Sequence, residues 1–155
     1  MSEEAEQGVI GSILLTSGKA LEELTLHEED FASPRNGALY DLLRGLWAKG
    51  RAADLVTAGA ALRTAEDHVK RLVTPAYLYE CSKNTPTSAM VGDYQRIVKD
   101  AAVRRRLIEV SGRIVDAVNS VDDLDQVVEE ARALIDNAGQ VDSPEIGRAS
   151  CRERV

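Results

Sequence analysis

Residues 88–118 read SAMVGDYQRIVKDAAVRRRLIEVSGRIVDAV, with no proline and with Gly92 and Gly112 as the only glycines. Tyr94, Ile97, Val98, Ala101, Ile108, Val115 and Val118 form one broad apolar stripe of helical period. Unbroken, roughly 30 residues at ~1.5 Å each make a helix ~45 Å long, more than a small globular head can cover. Asn119-Ser120 then interrupts the pattern, and Asp123 followed by Gln126 predicts the cap of another helix. In that helix Leu124, Val127, Val128, Ala131, Leu134, Ile135 and Ala138 recur at three- and four-residue steps. Two amphipathic helices joined by a short turn make an antiparallel helical hairpin. Such a hairpin alone buries too little apolar surface to be stable in water, so its open stripe implies a partner.

Upstream, the signals are those of short helices. Ala5, Val9, Ile10, Ile13 and Leu14 share one face of a first helix. Gly8, Gly11 and Ser12 are small enough there to let another helix approach closely. Leu21, Leu24 and Leu26 predict a short second helix. Ser33-Pro34 reads as an N-cap followed by proline in the first turn, and Leu39, Leu42, Leu43, Leu46 and Trp47 form the buried face behind it. Lys49-Gly50 marks its end. Asp54 caps a helix carrying Leu55, Val56, Ala58 and Leu62, and Thr74-Pro75 opens one with Tyr77, Leu78 and Cys81. The expected fold class is all-α: a compact multi-helix head over residues 1–87 and a long antiparallel helical hairpin over 88–142.

The 155 residues suit one domain of ordinary size, and 29% of them are charged against 4% aromatic. A net charge of −7 argues against a chain that wraps nucleic acid or lies on anionic lipid, so only weak DNA binding is expected. The charge is uneven. Residues 1–85 are net −4, residues 86–118 net +2, and residues 119–142 net −6. The hairpin arms are thus opposite in sign, which favours their pairing within or between subunits. Cys81 and Cys151 are the only cysteines, which fits a reducing cytoplasm. No apolar run approaches the ~20 residues of a membrane span.

Catalytic constellations are absent from the sequence. His27 and His68 are isolated, and no G-x-x-x-x-G-K-[ST] run is present to cradle a triphosphate. Catalytic, cofactor and metal residues are therefore expected to be none. Arg104-Arg105-Arg106 is the one basic cluster, but three consecutive helical residues fan over most of a turn and cannot all face one ligand. They read as an interface or solvated face beside the acidic second arm. The expected protein interface comprises Tyr94, Ile97, Val98, Ala101, Arg105, Ile108, Val127 and Leu134. Aspartate at Ile97 or Val98 is expected to break that seam while the head stays folded.

The order of several stretches resembles the N-terminal domain of the DnaB family of replicative DNA helicases, bacterial and phage. They are Ala5-Glu6-Gln7-Gly8-Val9-Ile10-Gly11, Asp30-Phe31, Asp54-Leu55-Val56-Thr57, Ala76-Tyr77-Leu78, Ser82 to Ala89, Tyr94-Gln95-Arg96-Ile97-Val98 and Arg106-Leu107-Ile108. The family usually has His where Asn36 stands, with an Ile-Phe-like pair at Leu39-Tyr40, and Gly-Gly where Val73-Thr74 stand. Those departures touch head packing and turn geometry. The resemblance implies a collar domain that assembles from dimers to a hexamer and receives primase or a helicase loader. It also implies that ATP and Mg belong to a RecA-like motor absent from this chain, so the parent would be an ATP-dependent helicase and this fragment no ATPase. The alternative is a stand-alone all-α adaptor that recruits or blocks a helicase, or an unrelated structural hairpin. Residues 143–155 read as a foreign or disordered tail: the composition turns from acidic to basic after Ser143-Pro144, and 145–155 are expected to be dispensable.

Overall fold

The computed structural model describes residues 2–139, which are helical between turns, with no strand among them. Two compact units divide between Lys99 and Asp100. The first holds α1 (Ser2–Leu15), 3-10 helices at Lys19–Glu23 and Glu28–Asp30, α2 (Pro34–Ala48), α3 (Leu55–Arg63), α4 (Asp67–Leu72) and α5 (Pro75–Asn84). The helix α6 (Val91–Ser120) starts in this unit and continues past its boundary, and α7 (Leu124–Gly139) lies in the second unit.

The expected cap chemistry is present. The Ser33 hydroxyl accepts from the Asn36 N–H, with Pro34 in the first turn. Asp54 accepts from the Thr57 N–H at 2.7 Å, and Thr74 from the Tyr77 N–H at 3.1 Å. At the end of α2, Gly50 takes φ 72°, the Arg51 N–H donates to Leu46 O, and the Gly50 N–H donates to Trp47 O, both at 2.9 Å. That pair of bonds is the Schellman closure, and it needs a residue tolerant of left-handed backbone.

Within the head, α1 is the central helix. Its five predicted apolar residues are all buried, as are Gly8, Gly11 and Ser12, the small residues expected to admit another helix, and so is Glu6. A Cβ on Gly11 would fall 1.9 Å from Thr85 Oγ1 and 2.5 Å from the Cys81 carbonyl, so α5 crosses α1 at glycine range. The Ser12 hydroxyl donates to the Gly8 carbonyl of its own helix at 2.7 Å, which satisfies it without an outside partner. Around α1 pack Leu26, Leu39, Tyr40, Leu43, Leu78, Cys81 and Val98 in one apolar cluster.

One local expectation is corrected and one helix was not foreseen. The short second helix expected from Leu21, Leu24 and Leu26 is a 3-10 helix over Lys19–Glu23, and Leu24 is already extended. Its N-cap Gly18 sits at φ 105°, and a Cβ there would meet the Trp47 ring at 2.5 Å, so this start of the turn requires glycine. The six-residue α4 carries no buried residue, and its lack of an apolar stripe hides it from a periodicity search. The polar side chain of Gln95 ties α6 to the head: its Oε1 accepts from the Thr25 N–H at 2.7 Å and its Nε2 donates to Glu23 O at 3.3 Å.

Candidate functional site on the hairpin helices

The second unit contains most of α6 and all of α7. Its buried apolar residues are Ala102, Val110, Val127 and Ala138 among the described residues. Val127 and Ala138 are eleven residues apart, about three turns of helix, so they share one line along α7. Ala131 and Leu134 are half-buried between them, and on α6 Ala101, Arg105, Arg106, Ile114 and Ala117 are half-buried.

A second apolar line stays open on each helix. Ile108 is 72% exposed, Val115 57% and Val118 52% on α6, and Leu124 is 65% exposed on α7, where Val128 and Ile135 are open as well. On α6 the line runs from half-buried Ala101 through exposed Arg104, Ile108, Ser111, Val115 and Val118, in steps that alternate between three and four. On α7 it runs Leu124, Val128, Ile135, with half-buried Ala131 at its edge, in the same four- and three-residue steps. Steps averaging 3.5 residues keep a seam in register along a pair of helices, whereas scattered surface leucines carry no such phase. The open lines also differ in electrostatic setting. Residues 100–120 carry four Arg against three acids, and residues 121–139 carry Arg132 against six acids. Arg132 and Glu129 pair locally at 3.7 Å, both exposed, a contact of small energy.

The predicted interface residues divide by burial. Ile97 and Ile108 are exposed, and Tyr94, Ala101, Arg105 and Leu134 are half-buried. Val98 and Val127 are buried, so their apolar surface is already covered within the chain. The structure does not bring all eight onto one open surface. In the head unit, Tyr94 and Ile97 line a cleft of about 550 Å³ with Glu4, Gln7, Gly8 and Thr85. Val115, Val118, Leu124, Val128 and Ile135 are open as well, though the predicted set omits them. The alternation of three- and four-residue steps is the signal that finds them. The arginine cluster fans as expected, with Arg104 exposed and Arg105 and Arg106 half-buried.

Elsewhere Cys81 is engaged in packing, and both histidines are exposed. Cys81 is fully buried, and burial pushes its thiol up to about 11. His68 lies 3.3 Å from Glu66 on the surface, and the backbone N–H of His27 donates to Asp30 Oδ2 at 2.8 Å. No group of three or more His, Cys, Asp and Glu side chains is placed to hold a metal among the described residues. No helix among them is long and apolar enough to cross a membrane.

A family model described as the DnaB-like helicase N terminal domain matches residues 1–100. Replicative DNA helicase DnaB of Mycobacterium leprae (strain TN) is 34% identical over 135 residues, covering 84% of this chain and 22% of that protein. The protein of the same name from Leifsonia xyli subsp. xyli (strain CTCB07) is 31% identical over 71% of this chain and 24% of its own length. The chain thus spans about a quarter of the length of the curated relatives it matches. The crystal structure of the N-terminal domain of DnaB helicase from Mycobacterium tuberculosis superposes with a TM-score of 0.77 at 33% identity, over 86% of this chain and 95% of that one. The structure of a DnaB-like replicative helicase and its interactions with primase also gives 0.77, at 22% identity over 99% of this chain and 36% of that one, a likeness of fold alone.

Proposed function

The chain belongs to the DnaB-like helicase N-terminal domain family, and from that premise we propose that it is the assembly and docking module of a replicative helicase. The observation that carries this is the pair of open apolar lines on α6 and α7, with Ile108 at 72% exposed and both lines in 3.5-residue phase. A lone hairpin would leave those side chains in water, and covering them with a second hairpin removes the penalty. Self-association from dimers toward a hexamer follows from this reading, with primase or a helicase loader received on the assembled hairpins. Duplex unwinding, with its ATP and Mg, is assigned to a motor of the parent cytoplasmic helicase. No phosphate-cradling Gly-Lys motif occurs in this sequence.

Light scattering across a concentration series tests the reading. The expected result is a mass that grows to a multiple of the 16.8 kDa chain. Ile108→Asp should return it to one chain with the helical circular dichroism intact. A native chain that stays monomeric at millimolar concentration would overturn the proposal.

A further inference from the structure

The open line on α6 is apolar or small except at one place. Arg104 stands between Ala101 and Ile108 in the three-four phase, exposed, while Arg105 and Arg106 turn toward the half-buried side. Asp100 lies one turn back on the same helix, yet Arg104 makes no ion pair or hydrogen bond among the described residues. A guanidinium at a seam position either finds an acceptor when the seam closes or opposes closure, because an unpaired charge taken out of water is costly.

Resting on the reading of the hairpin as a self-association surface, we propose that Arg104 decides which helix of a second copy α6 accepts, selecting α7 over α6. The charges on the two helices support the choice. From residue 100 onward α6 is net +1, whereas residues 121–139 are net −5. Along α7, Asp125, Glu129 and Asp136 flank the open line Leu124, Val128, Ile135 on the side away from buried Val127 and Ala138. Arg132 lies 3.7 Å from Glu129 in an exposed contact, and Asp125 or Asp136, about three turns apart on the same flank, is the acceptor assigned to the Arg104 of the second copy. Packing α6 on α6 would set like charges against each other, while α6 on α7 is satisfied twice under a two-fold axis. A polar residue at a single seam position is a known way to fix orientation and oligomer size.

Sedimentation velocity on the full chain tests this with charge swaps. Arg104→Glu is expected to weaken self-association at least tenfold, and Asp125→Arg with Asp136→Arg should do the same. Mixing the two variant chains should restore a mixed species near native affinity, since both contacts across the axis then pair opposite charges. Arg104→Leu keeps the helix and adds apolar surface, so it should still associate but as a spread of sizes instead of one. The selection is overturned if Arg104→Glu keeps the native constant, if the mixture shows no recovery, or if Arg104→Leu gives one species like the native. A native chain that never associates would overturn the underlying self-association as well, so the two failures are distinguishable.

Discussion

The Glu6 carboxylate on α1 accepts a 2.8 Å hydrogen bond from the Asn36 amide on α2, and both residues have no solvent exposure. The same carboxylate accepts from the N–H groups of Ala32 at 2.7 Å and Ser33 at 3.3 Å, so one helix supplies the anion that neutralises the start of another. Asn36 Oδ1 in turn accepts from the Tyr77 hydroxyl on α5, which joins three helices in one buried network. Glu6→Ala would leave three donors without an acceptor. Its expected cost is roughly 3 kcal/mol or more, since each buried unpaired donor costs about 1–3 kcal/mol. Urea denaturation monitored by circular dichroism checks this, and a loss under 1 kcal/mol would show that water replaces the carboxylate.

Two glycines of helical sequence should respond in opposite directions to the same methyl group. Gly11→Ala places Cβ against Thr85 Oγ1 and the Cys81 carbonyl, neither at the free end of a flexible chain, so α1 and α5 must part. Overpacking of this kind costs about 1–3 kcal/mol. Gly112 in α6 has nothing within 4 Å of the same added atom. There Ala should raise stability by about 0.5–1 kcal/mol through backbone entropy and helix propensity. Thermal melts of the two variants settle the pair, and equal shifts in one direction would contradict the close crossing.

Periodicity and cap residues carried the fold into view. Ser33, Asp54 and Thr74 announced three helix starts because a short side-chain oxygen satisfies N–H groups that no helix can pair internally. The long α6 was legible from the lack of breakers between Ser88 and Val118. The Glu6–Asn36–Tyr77 network was not, because its members lie 30 and 41 residues apart and no local pattern pairs them. Burial on the hairpin was legible only in part. Val98 and Ile97 are adjacent letters of one stripe, and only the packed helix shows that one is covered and the other open.

That adjacency yields a sharp contrast. Val98 is fully buried in the head cluster, so Val98→Asp should unfold the head, against the expectation that the head would remain intact. A buried carboxylate without a partner costs several kcal/mol. Ile97 is 47% exposed, and Ile97→Asp should change stability by no more than about 1 kcal/mol. Far-ultraviolet circular dichroism at 25 °C should separate the two variants. Two equally folded proteins would mean that Val98 is not a core residue in solution.

High pH should unfold the head through its tyrosines. The Tyr40 hydroxyl donates to Leu26 O at 3.0 Å, and Tyr77 donates to Asn36 with the Arg35 guanidinium 3.5 Å from its ring centre. Burial pushes both phenols up to about 12, from an ordinary 10. The folded state therefore holds these protons more tightly than the unfolded chain does. The resulting stabilisation is fully present below pH 10 and is lost as the pH rises from 10 to 12. At 1.36 kcal/mol per unit, ionising the Tyr40 phenol costs the folded state roughly 2–3 kcal/mol, and ionising Tyr77 acts in the same direction. Absorbance at 295 nm should show these two tyrosines ionising in step with the loss of helical signal at 222 nm. Tyr40→Phe should cost about 1 kcal/mol at neutral pH, because Leu26 O loses its donor, and should shrink the alkaline loss by about half. A titration midpoint near pH 10 for every phenol, with the helices intact, would show that neither ring is held in the environment described.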